Sequence, residues 1–503
     1  MNIWFAEHNW PWSPEKYRFP TEQMLLTLFP GERPEYPEGP PDLEGDDGVL
    51  IGLSRGRAKA SVSVLVKRGG QLRNGTARFP ADSLDEPVEQ VYHTVSHALK
   101  QAFYKAGTAL LGHELPWGSL TGVRPVKLPT KAMLAGKTAK QAEKELRQEY
   151  HVSAPRAALA VECAKAALSV NRTLSRDSLS LYIGIPFCPT RCAYCSFVSS
   201  DVKGSLALVE PYVEGLCKEI ELAGRLLRAR GLHITTAYMG GGTPTTLTAG
   251  QLDRVLSAAA HFLPMEKCAE FTVEAGRPDT ITADKLETLK NHGIHRISIN
   301  PQTMEDDVLR AMGRAHTAAQ IEEAMELADG HFGGMVNMDL IAGLPTDTTE
   351  GFGRTLDRVL AMDPANITVH TLALKKGSRL IEEGGALCAP GQVQAMLELA
   401  SRRLRGAGYA PYYLYRQKYM SGSFENVGWA KPGAMCAYNI VMMEELQTVL
   451  SLGAGGVTKL VNPDRRKILR LGNPKYPKEY LGAWDKISAA KEAATAFQAE
   501  LNQ

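Results

Sequence analysis

Three of the chain's eight cysteines fall within eight residues, in Ile185-Pro-Phe-Cys188-Pro-Thr-Arg-Cys192-Ala-Tyr194-Cys195. At this cysteine frequency a Cys-x3-Cys-x2-Cys run is roughly a 0.2% chance event, so it reads as a ligand set rather than as three buried small residues. Structural zinc takes four ligands, usually as two separated pairs, and no second pair or local histidine accompanies this run. Three thiolates on one loop suit an iron–sulfur cluster, because soft thiolates select iron–sulfur, zinc or copper(I). Three ligands on a four-iron cluster leave one iron open, and an open position is what a catalytic metal site keeps. The other five cysteines, Cys163, Cys217, Cys268, Cys388 and Cys436, are scattered.

The elements that must position this loop are legible as a strand–helix alternation. Short β-rich apolar runs occur at Leu181–Ile185, Thr235–Met239, Glu270–Glu274, His295–Asn300, Val336–Ile341 and Ile367–Leu374. Helical spacing of apolar residues fills the intervals, at Ala207–Arg230, Ala249–Phe262, Ala283–Asn291, Glu305–Ala311 with Ala318–Ala328, and Thr349–Ala361. Such alternation predicts βα units and a parallel sheet. The spacing alone leaves open whether six such units form a partial barrel or an open doubly wound sheet.

Polar and glycine-rich groups sit at the predicted C-terminal strand ends, where parallel α/β folds place their active sites. Strand one runs into the cysteine loop. Strand two ends in Gly240-Gly241-Gly242-Thr243-Pro-Thr245, which is no Walker loop because no Gly-Lys-Ser/Thr follows. It reads either as a turn or as a close backbone approach to a ligand. Glu274 ends strand three and reads as a ribose or amino-group acceptor, a helix cap, or a partner of Arg277. Asp339 lies inside the apolar run Met338-Asp-Leu-Ile341, where an unpaired carboxylate is expensive. It asks either for a bound hydroxyl donor or for an ion pair with a basic residue on another element. Arg314 reads as a ligand carboxylate clamp or as a solvated loop cation. His370 reads first as a core histidine, and Tyr412, Tyr413 and Tyr415 as packing residues.

The 503 residues predict two to four domains. A net charge of +2, from 57 basic and 55 acidic residues, argues against a strongly electrostatic nucleic-acid binder. Neither a secretory signal nor a long apolar run stands out, so the expected location is the cytoplasm, with reduced thiols. Residues 1–175 read as an accessory domain, with an amphipathic helix over 88–111 (Val88, Val91, Val95, Leu99, Ala102 and Phe103 on one face). A Pro/Gly/acid-rich loop spans 31–48, and the turn-rich segment Pro116–Lys127 precedes a helix-rich stretch over 138–174. Residues 176–380 hold the βα units. Residues 381–503 begin with a helix over Gln392–Gly406 and a tyrosine-rich run.

These motifs together resemble a known group. The cysteine run with Tyr194 is similar to the radical S-adenosylmethionine signature. Leu181-Tyr182-Ile-Gly184-Ile-Pro-Phe-Cys188, the Gly240–Thr245 segment, Arg296-Ile-Ser-Ile-Asn-Pro-Gln302, Met312-Gly-Arg314-Ala-His316 and Met338–Pro345 resemble the oxygen-independent coproporphyrinogen III oxidase family. Pro116-Trp-Gly-Ser-Leu-Thr-Gly-Val-Arg-Pro125 and Asn426–Gly433 resemble its long-chain coproporphyrinogen dehydrogenase branch.

The resemblance implies a partial (β/α)6 TIM-like barrel with an N-terminal accessory α+β domain and a C-terminal α+β domain. It implies that Cys188, Cys192 and Cys195 hold a [4Fe-4S] cluster whose fourth iron chelates S-adenosyl-L-methionine. Gly241, Gly242 and Thr243 then approach the methionyl group. Tyr182, Tyr194, Glu274, Gln302, Arg314 and Asp339 match its other contacts, with Asp339 on the ribose and Tyr182 and Glu274 also catalytic. A 5′-deoxyadenosyl radical would take a hydrogen from propionate side chains of coproporphyrinogen III. Loss of CO2 and one electron then leaves vinyl groups, giving protoporphyrinogen IX, with a flavodoxin or ferredoxin as electron donor. Arg416, Lys418 and Lys431 are candidate cations for the substrate's carboxylates.

Three positions depart from the family. Gly184 stands where it usually has histidine, and Phe197 stands where the oxidases have a fourth cysteine, as in the related haem chaperones. Tyr438-Asn-Ile-Val-Met-Met443 replaces the chaperones' His-Asn-x-x-Tyr-Trp. The alternatives are a haem-binding chaperone that keeps the cluster, or another radical reaction on a tetrapyrrole.

Overall fold

The computed structural model describes residues 1–6, 10–39, 47–195, 200–373, 378–382, 388–417, 424–462 and 467–502. The chain divides into two compact units, Met1–Val161 with Gly422–Phe424, and Glu162–Ser421 with Glu425–Gln503.

In the first unit, Asn2–Phe5 pairs in parallel with Gly48–Arg55, and Lys59–Arg68 and Gln71–Pro80 continue the sheet antiparallel. Alternation along Lys59–Arg68 turns Val62, Val64 and Val66 inward, against Val91, Val95, Leu99, Ala102 and Phe103 of helix Val88–Leu111. The predicted apolar face needs one correction. Val88 is 59% exposed, because it opens the helix one turn before the stripe reaches the sheet. The Pro116–Lys127 turn is tied to this helix by Gln101 Nε2 donating to Ser119 Oγ (2.9 Å) and Lys100 Nζ to Thr121 Oγ1 (2.8 Å). Part of the predicted 31–48 loop lies outside the described residues.

The second unit is built on one eleven-stranded, mostly parallel sheet. Six parallel strands stand side by side in chain order: β1 (Ser178–Ile185), β2 (His233–Gly241), β3 (Glu270–Glu274), β4 (Arg296–Ser298), β5 (Val336–Ala342) and β6 (Asn366–Thr371). Strand β1 is buried on both faces, and its two serines, Ser178 and Ser180, are satisfied there by Gln447 and Thr236. Capping boxes at Thr248/Gln251 and Thr317/Gln320 start the helices that follow β2 and β4.

Residues after 381 join the same sheet. Strands β7 (Ala410–Arg416) and β8 (Glu425–Ala430) extend it antiparallel beyond β6. Strand β9 (Val449–Leu452) lies parallel to β1 on the opposite flank, followed by antiparallel β10 (Val457–Asn462) and β11 (Lys467–Gly472). The sheet therefore carries a seventh parallel strand where sequence periodicity counts six. Strand β4 is shorter than expected, and the expected end of β6 at Leu374 lies outside the described residues.

Strand β9 explains Gly184. A Cβ there would stand 3.0 Å from the Ala454 carbonyl, in the turn that follows β9. That turn is locked by buried polar groups. Glu219 Oε2 accepts from the Gly453 N–H (2.7 Å) and from Tyr480 (2.6 Å), while Glu219 Oε1 pairs with Lys491 (3.0 Å). The Tyr212 hydroxyl accepts from the Ala454 N–H (2.9 Å) and donates to the Gly184 carbonyl (2.5 Å). Among the described residues no helix is long and apolar enough to cross a membrane.

Candidate functional site

The site lies at the C-terminal ends of the parallel strands. Register sets its first wall: β1 and β2 pair Tyr182 with Tyr238 and Ile185 with Gly241. The two tyrosine rings stack at 6.4 Å, and Tyr438 stacks on Tyr238 at 4.9 Å. Beyond β2 the chain folds back on the cysteine loop. The Gly242 and Thr243 N–H groups donate to the Ile185 and Phe187 carbonyls, each at 2.7 Å. A Cβ at Gly242 would stand 2.4 Å from the Phe187 oxygen, so the glycine run makes room for the segment that leads into Cys188.

The loop presents its sulfurs to named donors. Thr243 Oγ1 donates to Cys188 Sγ (3.6 Å) and Arg277 Nη1 to Cys192 Sγ (3.6 Å). The Cys195 N–H donates to the Cys192 carbonyl (3.2 Å), and the Ala193 N–H to that of Met312 (3.0 Å). No described cysteine is disulfide-bonded. Among the described residues no three His, Cys, Asp or Glu side chains already converge as metal ligands. The trio fits a cluster through the chemistry of its donor set: three thiols on one loop, two of them already facing hydrogen-bond donors. Phe197 lies outside the described residues.

Arg314 is not a solvated cation. It is 6% exposed and donates to Tyr194 Oη (3.2 and 3.3 Å) and to the Asn300 carbonyl (2.8 Å). Burial, helped by Arg314 and Arg277, pushes His316 down to about 3, so it stays neutral at physiological pH. Gln302 has φ +70, which few non-glycine residues adopt, and its N–H donates to the Asp339 carbonyl (2.9 Å).

The two carboxyls of the site are driven apart. Burial pushes Glu274 up to about 7, and the Asp339 charge adds to this. The Tyr238 hydroxyl, 2.8 Å from Glu274 Oε1, and the Gly241 N–H oppose the shift. Burial also works to raise Asp339, but His370 (Nε2–Oδ2 3.5 Å), Asn337 (Nδ2–Oδ1 3.0 Å) and Thr368 outweigh it and hold that group below the ordinary carboxylate range. The half-buried acid on β5 thus has a basic partner, on the adjacent strand, with Tyr415 Oη on the other side of that imidazole (3.4 Å from His370 Nδ1). Paired acids of opposite shift can divide proton-holding from charge-holding roles.

Glu274 has a testable pH signature. Its folded value lies above the ordinary 4.5, so its contribution to stability is complete below 4.5 and is lost as pH rises through about 7. Between pH 4.5 and 8, urea unfolding should show Glu274→Gln gaining about 3 kcal/mol on the wild type. A pH-independent difference would contradict the shift.

The candidate carboxylate-binding cations need correction. Strand β8 runs antiparallel, which carries Lys431 to the opposite edge of the sheet, where it pairs with Asp363 (2.6 Å). Arg416 is buried beside Glu425, and burial lowers it to about 10. Lys418 lies outside the described residues. Sequence reasoning missed Tyr238, Tyr438 and Arg277 as site residues. A tyrosine two residues before a glycine run, and a cation three after Glu274, were the available signals.

The chain is similar to known proteins. Residues 182–359 match the Radical SAM superfamily. The chain is 38% identical over 438 residues to the oxygen-independent coproporphyrinogen-III oxidase-like protein HemZ of Bacillus subtilis, covering 86% of this chain and 87% of that protein. It is 29% identical over 303 residues to the heme chaperone HemW of Escherichia coli, covering 60% and 75%. The solved coproporphyrinogen III oxidase HemN of Escherichia coli aligns with a TM-score of 0.48 and 24% identity, over 64% of this chain and 73% of that one.

Proposed function

Because the chain belongs to the HemZ-like family of radical SAM proteins, which implies a [4Fe-4S] cluster and S-adenosylmethionine, we propose that it oxidatively decarboxylates propionate side chains of coproporphyrinogen III to vinyl groups. The single observation that carries the reading is the three-cysteine loop at the C-terminal end of β1, faced by Thr243 and Arg277 within a match spanning most of both chains. The order of β1 to β6, each beside its successor, supports a partial (β/α)6 barrel around it. When bound, the cluster and adenosylmethionine supply hydrogen-atom abstraction from an unactivated carbon.

The chain's own residues do the rest. Cys188, Cys192 and Cys195 hold the cluster. Tyr182, Tyr194, Gln302 and Arg314 line the nucleotide's place, and Gly241, Gly242 and Thr243 shape the strand end beside it. Asp339, kept ionised by His370 and Asn337, accepts ribose hydroxyls. Glu274, part protonated near neutrality, holds or gives up a proton at Oε1 or Oε2. The tyrosines enclose the site and exclude water. The working location is the cytoplasm, with a flavodoxin or ferredoxin as electron donor.

The likeness to HemW favours a second reading, that the chain holds haem without turnover. Anaerobic incubation of the reconstituted protein with coproporphyrinogen III, reductant and adenosylmethionine separates the two. Vinyl-bearing porphyrinogen with CO2 is the expected result. Stoichiometric haem binding with no vinyl product would overturn the proposal.

A further inference from the structure

Arg277 is 3% exposed, and all three ends of its guanidinium are engaged. Nη1 donates to Cys192 Sγ (3.6 Å), Nη2 to Thr190 Oγ1 (2.9 Å) and Nε to Asp279 Oδ1 (3.2 Å). It comes from the turn after β3, 85 residues along the chain from Cys192. Its paired acid among the described residues, Asp279, keeps 31% of its side chain in solvent, so water screens that acid more than it screens the buried cation. Arg314, held against Tyr194, also faces the Cys192 sulfur, and His316, 3.8 Å from Asp279, is neutral. A permanent positive charge is therefore directed at one sulfur of the cysteine trio.

We infer that Arg277 is a positioning residue for the cluster: it fixes the Cys192 sulfur and raises the potential at which a cluster on Cys188, Cys192 and Cys195 accepts an electron. The inference rests on the function proposed above. Hydrogen bonds to cluster sulfurs and nearby charge are two of the protein's levers on cluster potential. Here one side chain supplies both. A planar fork is needed, because Arg277 must reach Thr190 and Cys192 from one guanidinium edge, a geometry lysine does not offer. The reduction itself is simple: one electron enters the oxidised cluster from dithionite through mediator dyes, and no bond is made or broken.

The test uses full-length protein reconstituted without oxygen, with iron and sulfide assayed first and the cluster then poised at the wild-type midpoint potential. Arg277→Gln should hold its iron, while its reduced-to-oxidised ratio, read by electron paramagnetic resonance, falls about tenfold, equivalent to 59 mV for a one-electron couple. Asp279→Asn, which removes the opposing charge, should move the ratio the other way. A fully loaded Arg277→Gln with an unchanged ratio overturns the inference, as does a fall in Asp279→Asn. If Arg277→Gln loses its iron, the sign of the Asp279→Asn shift decides alone. Wild-type protein that takes up no iron overturns the proposed function, and this inference with it.

Discussion

Cys192→Ala, reconstituted without oxygen, should lose its iron and sulfide and form deoxyadenosine at a rate lower by on the order of a thousandfold, about 4 kcal/mol in barrier. Cys192 is the middle ligand of the proposed trio. Its sulfur is the atom toward which Arg277 is directed, and its carbonyl anchors the N–H of Cys195. Removing it takes away one of three thiolates and leaves the Arg277 guanidinium facing a methyl group. Two cysteines cannot hold a four-iron cluster with one iron open for chelation. Cys217→Ala is the control, since Cys217 lies on helix Val202–Ala229 and its thiol faces the Arg254 carbonyl at 3.9 Å. It should retain both cluster and cleavage. A Cys192→Ala protein with full iron content would remove the trio from the account.

Lys491→Met should destabilise the second unit by about 3–5 kcal/mol, measured as a lower urea midpoint at neutral pH. Lys491 and Glu219 expose 1% and 0% of their side chains, so the carboxylate left behind cannot turn to water. It would keep its donors from Gly453, Tyr480 and Asn473 (2.7, 2.6 and 2.8 Å), but not a counter-charge. The double variant Glu219→Leu/Lys491→Met should recover much of the loss, because removing both charges removes the desolvation cost. Should Lys491→Met unfold like the wild type, the pair contributes nothing. The same lock holds the Gly453–Ala454 turn against the Gly184 carbonyl, four residues before Cys188. The C-terminal helix thereby braces the cysteine loop.

Much of this was legible in the residues, and the remainder has physical reasons. Helices Ala249–Phe262 and Ala283–Asn291 end where their apolar spacing ends. Glu270–Glu274 is a strand with the expected bounds. These elements carry period and boundary signals within themselves. Strand β9 carries neither: it is four residues long and earns its place only by lying beside β1. The direction of β8 was equally hidden, and with it the edge to which Lys431 belongs. Asp339 announced itself as an acid in an apolar strand, yet its partner, His370, is set by strand register. Arg277 reads locally as a neighbour of Glu274, and only the tertiary fold turns it toward Cys192.

The central claim is that this chain takes hydrogen from a tetrapyrrole propionate. Anaerobic turnover with coproporphyrinogen III deuterated at the propionate β-carbons tests it most directly, with the mass of the released deoxyadenosine as readout. The account predicts deoxyadenosine heavier by one deuterium, formed together with vinyl product. Deoxyadenosine without the label, in the presence of bound substrate, would contradict it.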